Sequence, residues 1–320
     1  MAVLNNGPAL SEFVDGLSFA RTVDRALVHR HNLSEVFLTD VREVGEDEFV
    51  AAAQLPVAHP HYTSVTDASR FPDAMLLLEC CRQAETCAAH LVHGVEPGTS
   101  FVLRAWTMAL DRDVPSPGPG PHELLMTART RDPNVVAGTV RGLTYEFGMW
   151  VGGVRLGEVR MQVGYVARDA YRVMRGKGRA GPLPSSRTHP PVSAGRLVEP
   201  ALAGRTDPGD TLLLDLENGA GGARALLRVP VDNISFFDHA QDHVPGMVLV
   251  EAARQLAVAA AAGRGRMVGM DASFSAYAEL DAPITLTAAP RQGGWTEVAF
   301  HQGGKRICRV SVDLAEEVPA

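Results

Sequence analysis

Two glutamates carry the densest chemistry in this chain, because each sits in a string that occurs twice. Residues 75 to 83 read MLLLECCRQ and residues 247 to 255 read MVLVEAARQ, so Met, Leu, Glu, Arg and Gln recur at identical offsets, 172 positions apart. At about 100° per residue, a helix through either string gathers its Met, Glu, Arg and Gln in one quadrant. The groups are Met75, Glu79, Arg82 and Gln83 in the first copy, and Met247, Glu251, Arg254 and Gln255 in the second. A bland reading is an i, i+3 ion pair on a helix. The surroundings weigh against a purely local role: Met247 to Ala262 is apolar almost all round, the mark of a buried helix. A carboxylate inside a core must be paired, protonated or open to a pocket.

The loops before the two helices hold the other titratable groups. Asn233, Phe236, Phe237, Asp238, His239, Asp242 and His243 crowd the approach to Pro245 and Gly246, and His59, His61, Tyr62, Asp67, Arg70 and Asp73 occupy the matching place in the first half. Histidine on such a loop can exchange protons near neutral pH, and a carboxylate on a facing helix can supply or orient the proton. Capping and loop hydrogen bonds are the competing explanation.

The elements that position these residues follow from the repeat. A chain of 320 residues accommodates two related units of about 150. We expect a lead-in at 1–20, a first module at 21–170, a Gly/Pro-rich linker at 171–195 and a second module at 196–320. In the first, strands are expected near 35–39, 48–57, 100–110, 122–131, 138–150 and 154–166, with a helix at 73–93. In the second they are expected near 211–216, 223–231, 267–277, 283–289, 295–301 and 305–313, with a helix at 247–262. One long helix against many consecutive strands argues for an α+β fold, an antiparallel sheet wrapped around each helix, with the two sheets joined side by side.

Composition excludes several classes of function. The net charge is −7 and the 30 Lys and Arg are scattered, which does not suit nucleic acid. Neither an apolar run of about 20 residues nor a signal peptide is evident, so a cytoplasmic protein that does not enter membranes is expected. Cys80, Cys81, Cys87 and Cys308 lack metal-ligand spacing and read as small buried hydrophobes.

The segment NISFFDHAQDHVPGMVLVEAARQ resembles the active-site segment of hot-dog-fold 3-hydroxyacyl carrier-protein dehydratases, matching at Asn233, Phe236, Phe237, His239, Pro245, Gly246, Glu251, Ala252 and Gln255. It departs from them in a shorter stretch between His239 and Pro245. A fuller likeness, covering nearly the whole chain, is to the A-factor (γ-butyrolactone) biosynthesis hot-dog family, the AfsA-like proteins. It rests on HRHNLSEVFLTD (29–40), QLPVAHPHY (54–62), Met75 to Gln83 and DHAQDHVPGMVLVEAARQ (238–255).

That resemblance implies a tandem hot-dog acyltransferase that moves a 3-oxoacyl group from acyl carrier protein to the hydroxyl of dihydroxyacetone phosphate, with no metal or other cofactor. The protein would be a monomeric pseudo-dimer or a homodimer. For such a reaction Glu79, His239, His243 and Glu251 are the catalytic candidates, and helix N-termini could hold the thioester oxyanion. Arg82 and Arg254, or the basic stretch His29 to His31, could grip the phosphate. Gln83, Gln255, His59 and His61 complete the candidate substrate-binding set. By analogy with the dehydratases, His59 or His61 would face Glu251, and His239 or His243 would face Glu79. With no Gly-x-Ser-x-Gly turn and no Cys beside a His motif, direct transfer is favoured over an acyl-enzyme. The alternatives are a hot-dog thioesterase or dehydratase, or a non-catalytic acyl-ligand-binding protein.

Overall fold

The computed structural model describes residues 16–67, 71–118, 120–179, 181–188, 194–219 and 221–315. Most of the expected lead-in, Arg70 and part of the expected linker lie outside them. Among the described residues twelve strands form one antiparallel sheet: β1 (Leu38–Gly45), β2 (Glu48–Leu55), β3 (Ser100–Leu110), β4 (His122–Val136), β5 (Thr139–Val151), β6 (Val154–Val166), β7 (Leu213–Gly219), β8 (Gly222–Leu227), β9 (Arg266–Phe274), β10 (Thr285–Pro290), β11 (Trp295–Gln302) and β12 (Lys305–Ala315). Their order, β1-β2-β4-β5-β6-β3-β9-β12-β11-β10-β8-β7, is the same six-strand pattern read outward from a central seam. At the seam β3 pairs with β9, Thr107 opposite Asp271, and buried Trp106 packs edge-on against Phe274.

Each half wraps its six strands around one helix, α1 (Ala74–Leu91) in the first and α4 (Gly246–Ala260) in the second; α2 (Arg168–Gly176) and the single turn α3 (Ile234–Phe237) lie between them in the chain. Asp73 starts α1 by accepting from the amides of Met75 and Leu76. Pro245 starts α4, its ring suited to a first helical turn. Both helices are buried along almost their whole length, which explains why their apolar residues do not keep to one stripe. This is the tandem hot-dog architecture.

Three local expectations change. The first strand runs over Leu38–Gly45 and not 35–39, because Leu33–Glu35 form a 3-10 turn that the apolar run masks. Strand β4 continues past Arg131 through a register shift to Val136, and turns back at Ala137 and Gly138, both at positive φ. The connection between halves is no free tether. It begins with α2 (Arg168–Gly176), whose buried Arg175 bonds to Glu279 and Asp242 and stacks over Tyr277.

Candidate active site

Glu79 and Glu251 are both fully buried and are held in the same way. Glu79 Oε1 accepts from Arg30 Nη2 (2.6 Å), Arg82 Nη2 (2.7 Å) and Gln83 Nε2 (2.8 Å), while Oε2 accepts from Arg82 Nε (2.7 Å). In the second half Arg205, Arg254 and Gln255 take these places: Arg205 Nη2 lies 2.7 Å from Glu251 Oε1 and Arg254 Nε donates to Oε2 (2.8 Å). Burial opposes ionisation, but the two guanidiniums at each carboxylate win, holding both well below the ordinary range. Their oxygens are taken up by these donors, which leaves neither carboxylate free to act as a base. Each guanidinium likewise spends its fork on the protein.

The glutamines tie the clamp to the chain before β1 and β7. Gln83 Oε1 accepts from the amides of Phe37 and Leu38, and its Nε2 donates to Glu35 O; Gln255 does the same with Leu212 N and Asp210 O. Beside them lies a second acidic layer crossing the halves. His61 Nδ1 sits 2.7 Å from Asp210 Oδ1, and Arg205 donates to His61 O while its Nη2 lies 3.2 Å from His61 Nε2. In the mirrored place Ser235 Oγ donates to Glu35 Oε1 (3.4 Å), and His59 Nε2 lies 3.3 Å from that oxygen without a directed hydrogen bond.

The open space is elsewhere. A cavity of about 880 Å³ lies where the 3-10 turn Arg25–Val28 and its following residues meet the His239 loop, the end of α1 and the start of α2. Three arginines (Arg25, Arg30, Arg168) and four histidines (His29, His31, His90, His239) line it, and among the described residues no carboxylate does. Arg25, His31 and Arg168 are exposed at the mouth, whereas Arg30 is buried and joins the cavity to Glu79. The Arg168 guanidinium lies across Gly98, at φ 81°, where any side chain would displace it. His239 Nδ1 bonds to Asp238 and its Nε2 to Gln241 (2.8 Å). Although burial opposes it, bonds from His239 and from the His31 and Asn32 amides hold the Asp238 carboxyl down at about 2.

Several expected site residues therefore serve the protein itself. Arg82 and Arg254 bond to the glutamate one turn back and are not among the residues lining the cavity; Gln83, Gln255, His59 and His61 are buried. His61 does approach Glu251, with Arg205 between them. Neither His239 nor His243 bonds to Glu79. His239 lines the cavity, and His243 is drawn to Asp242 and packs edge-on against Tyr277. Of the helix N-termini offered for an oxyanion, that of α1 is occupied by Asp73 and that of α4 abuts Leu103 and Phe274.

Sequence reasoning left out Arg205, Glu35, Asp210, Arg25, His90 and Arg168, and named Arg30 only within its basic stretch. A signal existed: Arg30 and Glu35 recur as Arg205 and Asp210, 175 positions on, with the same spacing. The repeat also shows where the halves part. Gly204 and Thr206 stand where the first half has His29 and His31, Ala262 stands for His90 and Val65 for His239.

Two helix-in-sheet units fused along one sheet, with an anion-attracting cavity between them, define a double hot-dog protein. The chain belongs to the A-factor biosynthesis hotdog family, whose model matches residues 13–167 and 187–314. It is 32% identical over 272 residues to a 2-oxo-3-(phosphooxy)propyl 3-oxoalkanoate synthase of Streptomyces virginiae, covering 84% of this chain and 87% of that one. A protein of the same name from Streptomyces griseus is 29% identical over 299 residues, 88% of this chain and 91% of the other. Among solved structures, the dehydratase domain from the CurF module of curacin polyketide synthase superposes with a TM-score of 0.52 at 10% identity, over 87% of this chain and 97% of that one, a likeness of fold.

Proposed function

We propose that the protein transfers a 3-oxoacyl group from acyl carrier protein to the hydroxyl of dihydroxyacetone phosphate. The acceptor oxygen bonds to the thioester carbonyl carbon, the C–S bond breaks, and the hydroxyl proton ends on the carrier thiol. The product is 2-oxo-3-(phosphooxy)propyl 3-oxoalkanoate, the compound in the relatives' names. The observation that carries this reading is the cavity lined by three arginines and four histidines, with no carboxylate among the described residues that line it. A phosphorylated acceptor is dianionic, and arginine forks at the mouth match its oxygens in geometry and charge.

Arg25 and Arg168 take the phosphate, in place of Arg82 and Arg254. His239 keeps a role at the site by shaping the cavity wall, its Nδ1 donating to ionised Asp238 and its Nε2 accepting from Gln241. Glu79 acts by fixing Arg30 at the cavity floor; Glu251 and His243 hold the fold. All four cysteines are buried and their thiols pushed up by burial, which supports direct transfer without an acyl-enzyme. We take 21–170 and 196–320 as the two modules, a division supported by the mirrored strand order.

The test is to give the protein a 3-oxoacyl carrier thioester with and without dihydroxyacetone phosphate, following free thiol and phosphorylated ester. Ester should appear in step with thiol, and thiol release should depend on the acceptor. Equal thiol release without acceptor, and no ester, would make the protein a hydrolase and overturn the reading.

A further inference from the structure

His29 occupies a backbone conformation that its counterpart leaves to glycine. It ends the turn Arg25–Val28 at φ 53° and ψ 44°; Gly204 ends the turn Pro200–Ala203 at φ 70° and ψ 24°. The two turns have the same hydrogen bonds, Arg30 N to Arg25 O and Arg205 N to Pro200 O, both 2.9 Å. A left-handed conformation is natural for glycine and costly for a histidine. The fold keeps an imidazole there in the half whose turn lines the cavity.

The ring is also fixed in tautomer. His90 Nδ1 lies 2.6 Å from Val95 O, so it carries the proton and donates; His90 Nε2 is then an acceptor in the neutral ring. His29 Nε2, 2.8 Å from His90 Nε2, must be the donor. This leaves His29 Nδ1 as an unprotonated nitrogen with no protein partner among the described residues, on a ring that lines the cavity. Phe101 packs edge-on against that ring at 4.8 Å. Burial first, then repulsion from His90, Arg82 and His239, pushes His29 down to about 3, so the ring is neutral at neutral pH.

We infer that His29 is the general base that takes the proton from the acceptor hydroxyl, with His90 as the residue that positions it. The inference rests on the acyltransferase reading above. As the acceptor oxygen bonds to the carbonyl carbon, its proton passes to His29 Nδ1; when the C–S bond breaks, the imidazolium returns that proton to the departing thiolate. Burial and the repulsion from His90, Arg82 and His239 keep the ring unprotonated and able to accept, and an acceptor phosphate held among Arg25, Arg168 and His31 adds a negative charge that favours the imidazolium as it forms.

The experiment uses His29→Gly, which installs the residue of the other half and relieves the backbone. Wild type is assayed first: if it forms no ester, the acyltransferase reading fails, separately from this inference. With wild type active, His29→Gly should lower kcat at least 100-fold, the size of a lost proton-transfer group. KM for the acyl thioester and the melting temperature should not fall, and added imidazole should restore part of kcat. His90→Phe should lower kcat by less and gain nothing from imidazole. A His29→Gly enzyme with kcat within threefold of wild type, or one whose loss lies wholly in acceptor KM and ignores imidazole, would overturn the assignment.

Discussion

Arg30 and Arg205 stand in the same relation to opposite halves of the protein. Each bonds the buried glutamate of its own half, Glu79 or Glu251, and each donates through Nη1 to a backbone carbonyl of the other half, Ser235 O at 3.1 Å or His61 O at 2.7 Å. The clamp is thus both an ion pair within a module and a stitch across the module interface. In the first half its Arg30 also lines the cavity.

Breaking the clamp should cost stability. Arg205 is wholly buried, so Arg205→Ala leaves Glu251 with one cation fewer in the core. We expect a loss of roughly 3–5 kcal/mol in denaturant unfolding. Combining it with Glu251→Gln should recover part of that loss, since the stranded charge is then gone. A double variant that adds the full cost of both single changes would show that the two residues do not act as a pair.

The two-module plan, both long helices and the side-by-side sheets were legible in the amino-acid sequence, because a nine-residue string repeated at one fixed interval needs no tertiary information to be recognised. The clamp was harder. Arg30 lies 49 residues from Glu79 in the chain, and nothing local marks a partnership made across a fold. The histidines of the second loop part for a related reason: His239 lines the cavity, whereas His243 bonds to Asp242, the partner of Arg175, and packs edge-on against Tyr277. His29 was visible only as part of a basic stretch, since neither its positive φ nor its contact with His90 can be read from residue types.

Glu85 gives the fold a pH dependence. Burial raises its carboxyl from 4.5 to about 7 against the opposing bonds from Tyr165 (3.1 Å) and Thr86 (3.1 Å). A carboxyl with a raised folded value binds its proton more tightly folded than unfolded. Its contribution is present below 4.5 and lost as pH rises through about 7. His29, His61 and His93, held neutral by burial, act with the opposite sign. The informative quantity is therefore wild type minus Glu85→Gln, and the substitution should favour the folded state by roughly 3 kcal/mol more at pH 8.5 than at pH 4. A difference that does not vary with pH would contradict the raised value.

The connector should steer the site from outside. Arg175 is buried, with Asp242 and Glu279 as its acids, and Asp242 lies three residues after His239. Arg175→Ala should lower the melting temperature and raise hydrogen exchange in residues 238–243. Unchanged exchange there would show that the loop holds its place without α2.

Gly98 is the backbone seat of Arg168. Gly98→Val should be poorly tolerated at φ 81° and should raise acceptor KM by dislodging the guanidinium. Acceptor KM at the wild-type value in a folded Gly98→Val protein would separate Arg168 from acceptor binding.

The central claim is that this cationic cavity holds the acceptor's phosphate, and the most direct measurement is the pair of Michaelis constants for Arg168→Ala and Arg25→Ala. A lost charge-assisted hydrogen bond is worth about 1.5–3 kcal/mol. Each variant should therefore raise KM for dihydroxyacetone phosphate roughly 10- to 100-fold, leave KM for the acyl thioester unchanged, and leave the melting temperature within a degree or so. Acceptor KM unchanged in both folded variants, or an equal rise for both substrates, would contradict it.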